Sequence, residues 1–318
     1  MQNWGWELAF GGTLIETGDW RWTAKIDGTF IKNKMTKLAA GNVWSVPRAM
    51  IEGKSRYELY TYDWVGVDQM TGRSLYAIEY EGMHEWETQD PETLEWYWDE
   101  ENAREKYETN LKTAEDKGEL VWINGKPYAT NTTYATRTFS GSTLPVVYGS
   151  LGTQLSWKDL HLDLLFTYSL GGKLYNDGYS AYMGTGNGNI QSAFHKDLLK
   201  AWTAVPAGMT EDSPNRIDPN GIPQVNSVRS QYDNAGSTRW LCSASYLTLK
   251  NIALSYDLPR KWTNAMLMQG LTVGFTVENA FTVTARKGIN PSYNYSGGQN
   301  ANYRVQARTF NFNVTARF

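Results

Sequence analysis

The chain has 318 residues, 41% hydrophobic and 14% aromatic, with 14 Trp, 20 Tyr and a formal charge of −3. No run approaches the roughly 18 apolar residues of a membrane-crossing helix, so helical spanning is excluded. The mean hydropathy of −0.53 leaves a transmembrane barrel open, because half of each barrel strand is polar. The lone Cys242 excludes an internal disulfide and a cysteine-built metal cluster, and no basic block suggests nucleic acid.

Met1 leads at once into strand-like sequence, without a signal peptide. A barrel protein must be exported, so a mature chain or a fragment is expected. Trp4, Trp6, Leu8 and Phe10 alternate with Gly5, Glu7, Ala9 and Gly11. After a turn at Thr17–Asp19, Trp20, Trp22, Ala24, Ile26, Gly28 and Phe30 alternate with Arg21, Thr23, Lys25, Asp27 and Thr29. A period of two over such lengths predicts a hairpin of two long strands. Residues 33–55 read as a loop, and Arg56 to Val67 as strand-like with muddled alternation.

Between Glu81 and Glu119 stand fourteen acidic and four basic residues, a net of −10 within a chain of −3. Asp90 as N-cap, Pro91 at the first helical position and a stripe of Leu94, Trp98, Tyr107, Leu111 and Ala114 predict a helix over 91–116. The block 81–140 is expected as an acidic, partly helical outer-loop insertion, a surface excursion rather than core.

From Pro145 the alternation returns. Val147, Leu151, Leu155 and Trp157 oppose Tyr148, Ser150, Gln154 and Ser156, and a turn at Lys158–Asp159 follows. Leu160, Leu162, Leu164, Phe166, Tyr168 and Leu170 then oppose His161, Asp163, Thr167 and Ser169, which makes His161 a polar-face residue rather than a ligand or base. Residues 171–238 read as a long outer loop. Its Gly184–Asn189 run lacks the strand–helix context of a phosphate loop, and Ile190, Phe194, Leu198 and Trp202 predict a short amphipathic helix. Ser245 to Pro259 reads as a wall strand whose face switches near Lys250, predicting a bulge. Leu271, Val273, Phe275, Val277 and Phe281 form the next apolar face, and Phe310, Phe312, Val314, Ala316 and Phe318 the last. Eight to ten strand candidates, with short turns and long loops in succession, predict an antiparallel transmembrane β-barrel, all-β apart from short helices in the loops.

Several of these stretches resemble the SusC/RagA-type TonB-dependent outer-membrane transporters. They are Ser245–Pro259, Val277-Glu278-Asn279-Ala280-Phe281-Thr282, Lys200–Thr203, Ser237–Leu241 and Tyr62–Gly72, the last resembling the hairpin before a long outer loop. The likeness runs over most of the chain in the family's order. It implies that residues 1–318 are the C-terminal part of a large plugged barrel, without the plug domain. The acidic insertion and Cys242 depart from the family's pattern. The resemblance further implies import of oligosaccharide or peptide, a SusD-type surface lipoprotein as lid, energy from the TonB complex through the missing plug, a setting in outer-membrane lipid, no cofactor and no enzymatic role.

On this reading Arg21, Lys25, Asp27, His161, Asp163, Glu278 and Arg317 face the lumen. Leu160, Leu162, Leu164, Phe166, Phe275, Phe310, Phe312 and Phe318 face lipid. Trp86, Trp96, Trp98, Trp122, Tyr175, Tyr179 and Tyr182 lie in outer loops as candidate substrate contacts. The alternatives are a secreted, aromatic-rich carbohydrate-binding β-sandwich and a stand-alone small barrel pore. Paired carboxylates fixed across a pocket are not evident, since the acids crowd one predicted helix and its flanks.

Overall fold

A computed structural model describes residues 1–39, 41–45, 47–186, 193–285, 291–293 and 306–318. The alternating segments form one antiparallel, seven-stranded sheet in chain order. Its strands are β1 (Gln2–Glu16), β2 (Trp20–Lys34), β3 (Val147–Trp157), β4 (Leu160–Leu170), β5 (Tyr246–Asp257), β6 (Gly270–Thr284) and β7 (Thr309–Arg317). At about 3.4 Å per residue, a 15-residue strand such as β1 reaches about 50 Å. That exceeds the usual length of five or six residues in soluble sheets and suffices to cross a bilayer at a tilt.

The register carries the apolar alternation across the whole sheet. One row runs Trp22, Leu155, Leu162, Leu254, Phe275, Phe312, and the next runs Trp20, Trp157, Leu160, Tyr256, Val273, Val314. The opposite face carries the row Thr23, Gln154, Asp163, Ala253, Thr276, Asn311. Apolar side chains on the first face are left open. Trp6 is 74% exposed and Phe312 73%. Leu249 beside the bulge is the buried exception. A sandwich would lay a second sheet over this face. Among the described residues none of the buried clusters does so.

The connections segregate by end. Short turns join β1 to β2, β3 to β4 and β5 to β6, the last through a short helix at Arg260–Ala265. Residues 35–146, 171–245 and 285–308 make the long connections at the other end. In the first turn Thr17 Oγ1 accepts from the Trp20 N–H at 3.1 Å. In the second Lys158 takes a left-handed φ of 51°. The bulge forms where the alternation predicts it: the register slips between Leu249 and Asn251, leaving Lys250 unpaired with either neighbour.

Among the described residues the wall has seven strands, where eight to ten strand candidates are expected from the sequence. The remaining candidates belong to a second body built from the first two long connections. Its main sheet orders Leu120–Ile123, Lys126–Ala129, Ser74–Ala77, Trp64–Asp68 and Ile217–Asp218. Leu59, Tyr60 and Thr61 are all buried there, which is why Arg56 to Val67 shows no clean alternation.

The predicted helix begins late. It spans Glu100–Asp116 (α1), capped by Asp99, whose side chain accepts from the Glu101 and Asn102 N–H groups. Asp90 instead closes a turn by accepting from the Glu92 and Thr93 N–H groups. Leu94 sits at φ 61° and is exposed, so it leaves the predicted stripe. Residues Trp96–Tyr97 pair with Thr88–Gln89 as a small ribbon, and that ribbon takes the place of the first helical turns. Nor is the insertion only surface. Ala103 and Ala114 on α1 are fully buried against a cluster that includes Tyr76, Trp86 and Tyr134. Among the described residues of the helix expected around Ile190 to Trp202, Lys196–Lys200 form a 3-10 turn. Ile190 and residues 187–189 of the glycine run lie outside the described residues. The 33–55 stretch carries a ribbon of Val43–Trp44 with Ala49–Met50.

Candidate functional site: the polar face and the cavity above it

All seven residues read as lumen-facing share the polar face of the sheet. Lys25 stands in the row Gly11, Lys25, Gly152, Leu165, Asn251, Glu278. Arg21 and His161 share the row Arg21, Ser156, His161, Ser255. Arg317 follows Asn311, Asn313 and Thr315 on alternate positions of β7. The residues read as lipid-facing lie on the other side, where Phe275 stacks on Phe310 with ring centroids 6.2 Å apart. Phe318, one residue past β7, is exposed.

The polar face is cross-braced. The Asp27 carboxylate accepts from the Ser150 N–H at 3.0 Å and from the Ser150 hydroxyl. From the apolar side, Tyr168 OH donates to the Asp27 carbonyl at 2.8 Å. Gly149 lets β3 approach here: a Cβ on it would stand 2.0 Å from the Asp27 carbonyl oxygen. His161 spans three strands, with Nδ1 at 2.9 Å from Ser156 Oγ and Nε2 at 3.5 Å from Asp257 Oδ2. Asp257 also accepts from Thr272 Oγ1. These contacts tie His161 into a cross-strand ladder.

At the bulge, Lys250 Nζ donates to Asn279 Oδ1 at 2.8 Å and to Gln306 Oε1 at 3.2 Å. Asn279, at φ 53°, donates in turn to the Ala307 carbonyl at 3.0 Å. The face switch at Lys250 predicts the bulge, but not this pin on the chain entering β7.

Where the polar face meets the long connections there is a cavity of about 320 Å³, within the range of small-molecule sites. Wall residues Asn3, Tyr148, Ser169 and Tyr246 meet Tyr57 and Thr143 of the second body there, and among the described lining residues none is charged. A lining of aromatic rings and hydroxyls suits uncharged polar ligands. Sequence reading missed this cavity, because its tyrosines come from three segments far apart in the chain.

The loop aromatics divide. Trp86 is buried, donating from Nε1 to the Glu79 carbonyl at 2.7 Å. Tyr175 is buried too, and burial pushes its hydroxyl up to about 12. Trp98 packs edge-on against Tyr80 and donates to Glu100. Tyr179 packs on Trp240 and donates to Asp197 at 3.0 Å. These four are committed to packing. Trp96, Trp122 and Tyr182 stay exposed.

Long-range ion pairs hold the second body together. Arg216 meets Asp68 at 2.9 Å, both buried. Arg229 grips the Glu119 carboxylate through both Nη atoms at 3.0 and 3.2 Å. Burial alone would raise the Glu119 carboxyl, but Arg229 and the Thr130 hydroxyl outweigh it and hold it below the usual carboxylate range. Burial lowers the Arg239 guanidinium to about 10 where it lies over Trp64 and Trp240.

The chain is similar over 305 residues, at 24% identity, to the TonB-dependent receptor P3 of Formosa agariphila. That match covers 94% of this chain and 26% of the relative, so the chain spans about a quarter of that protein's length. Solved structures of the RagAB peptide transporter superpose on 99% of this chain with a TM-score of 0.68 at 22% identity, covering 29% of the matched chain. The RagAB importer in its open-open and closed-closed states gives a TM-score of 0.65 in each case, at the same identity. No family model matches the chain. The likeness to SusC/RagA-type transporters read from the sequence is borne out: the sheet has the fold of part of such a barrel, and the named relatives are a receptor and importers.

Proposed function

We propose that this chain supplies part of the wall and outer loops of a TonB-dependent importer in the outer membrane of a Gram-negative bacterium. The observation that carries this reading is the seven-strand sheet, with one face apolar and open, the other polar, and every long connection at one end. In lipid, a strand must satisfy its backbone within a sheet and turn its apolar side chains outward. The polar face then lines the path of an oligosaccharide or peptide, the junction cavity holds part of it, and Trp96, Trp122 and Tyr182 meet it from the loops. Exposed Leu199, Val225 and Val228 on the long connections support a lid of the SusD type. Energy coupling through TonB is assigned to a plug outside this stretch.

Cysteine scanning tests the orientation. In cells, Lys25→Cys and Asp163→Cys should react with a membrane-impermeant maleimide after opening of the lumen, while Leu162→Cys and Phe312→Cys should not. Equal labelling of Leu162→Cys and Asp163→Cys would remove the reading. For the loops, Trp96→Ala, Trp122→Ala and Tyr182→Ala should each reduce uptake of the cognate nutrient. Uptake unchanged in the triple variant would return these residues to plain surface.

A further inference from the structure

The apolar face of β2 does not end in apolar residues. Beyond Ile26, Gly28 and Phe30, the next positions on that face are Lys32 and Lys34, paired across to Trp4 and Gln2 of β1. Both lysines are exposed, and neither makes an ion pair among the described residues. They stand at the end of the sheet that carries the long connections, directly above Trp6 and Phe30, which pair with each other. Beside them lies a groove of about 560 Å³, lined by Trp4, Trp6, Phe30, Pro145 and Val146, with Lys32 at its upper margin. Among its described lining residues the single acid is Glu58, whose carboxyl burial pushes up against the opposing pull of Lys54.

We propose that this groove holds an outer-leaflet lipid with a net-negative phosphate headgroup. Its acyl chain lies against Trp4, Trp6, Phe30 and Val146, and its phosphate meets Lys32 and Lys34. The inference rests on the wall reading, in which the apolar face touches lipid. It goes further by choosing the lipid's chemistry. The side of the groove formed by Trp4, Trp6 and Phe30 continues the apolar face and suits a hydrocarbon chain, while Asn33, Ser55 and Ser142 line its loop side. Aromatic rings favour the boundary between tail and headgroup. Two unpaired ammonium groups one and two pairs further out lie at headgroup depth, where each cation favours an anionic lipid by roughly fivefold. A zwitterionic headgroup carries its own cation beside its phosphate, so it offers the two lysines no net negative charge.

The test uses the full-length protein that contains this chain, reconstituted in phosphatidylcholine vesicles. Trace spin-labelled phosphatidylglycerol or spin-labelled phosphatidylcholine is added, and electron paramagnetic resonance measures the motionally restricted fraction of each. The expected result is a several-fold larger restricted fraction for phosphatidylglycerol, which falls to the phosphatidylcholine level in the Lys32→Gln/Lys34→Gln variant. Equal restriction of both lipids, or a preference that survives the double substitution, overturns the proposal. Absence of a restricted component with either lipid removes the wall reading itself, and this site with it.

Discussion

The wall sheet and the body above it draw on the same residue types and use them in opposite ways. In the wall, Trp6 and Phe312 are about three-quarters exposed, whereas in the second body Trp240 and Tyr76 are at 1% and 0%. Charges follow the reverse order. Lys25, Asp163 and Glu278 line one face of a sheet, while Asp68 and Arg216 are buried as a pair. On the proposed reading, the difference lies in the medium. A wall between lipid and an aqueous lumen can leave its apolar side chains bare, because hydrocarbon covers them. A body in water must bury them and then neutralise whatever charge is enclosed.

The largest expected effect breaks the second body and spares the wall. Asp68→Ala strands a buried Arg216, at a cost of about 3–5 kcal/mol. Limited proteolysis should then cut within residues 57–143 or 171–240 while β1 to β7 stay protected, and loss of the whole barrel would contradict the separation. Next, Leu162→Arg places a charge in the middle of the apolar face and should cost about 2–4 kcal/mol. Its neighbour Asp163→Leu should be tolerated. The amount of heat-modifiable, folded barrel in membranes distinguishes the two, and equal yields would contradict the two-faced wall.

Third, Gly149→Ala forces a Cβ against the Asp27 carbonyl, at about 1–3 kcal/mol. The strain should appear as lower thermal stability and faster amide exchange where β2 meets β3, with the second body unchanged. The smallest effect is a pH response confined to that body. The Glu119 carboxyl is held below its ordinary value of 4.5, so its contribution is fully present above that pH and is lost as pH falls through the lower, folded value. Thermal unfolding should therefore show an acid-side loss that Glu119→Gln removes. A loss unchanged in Glu119→Gln would place the acid sensitivity elsewhere.

Much of the wall was legible from the chain alone. Each residue of a strand with one apolar and one polar face reports its environment through its own polarity, so the period of two survives in the sequence of the wall strands, and even the slip at Lys250 can be read. The second body had to wait for the tertiary structure. Where strands are covered on both faces, as at Leu59–Thr61, alternation disappears. The pairs that hold this body join residues such as Asp68 and Arg216, which are 148 positions apart. The junction cavity likewise gathers Tyr57, Tyr148 and Tyr246 only when the long connections close over the sheet. A local pattern records the solvent a side chain meets, whereas the meeting of distant segments is decided only by the fold as a whole.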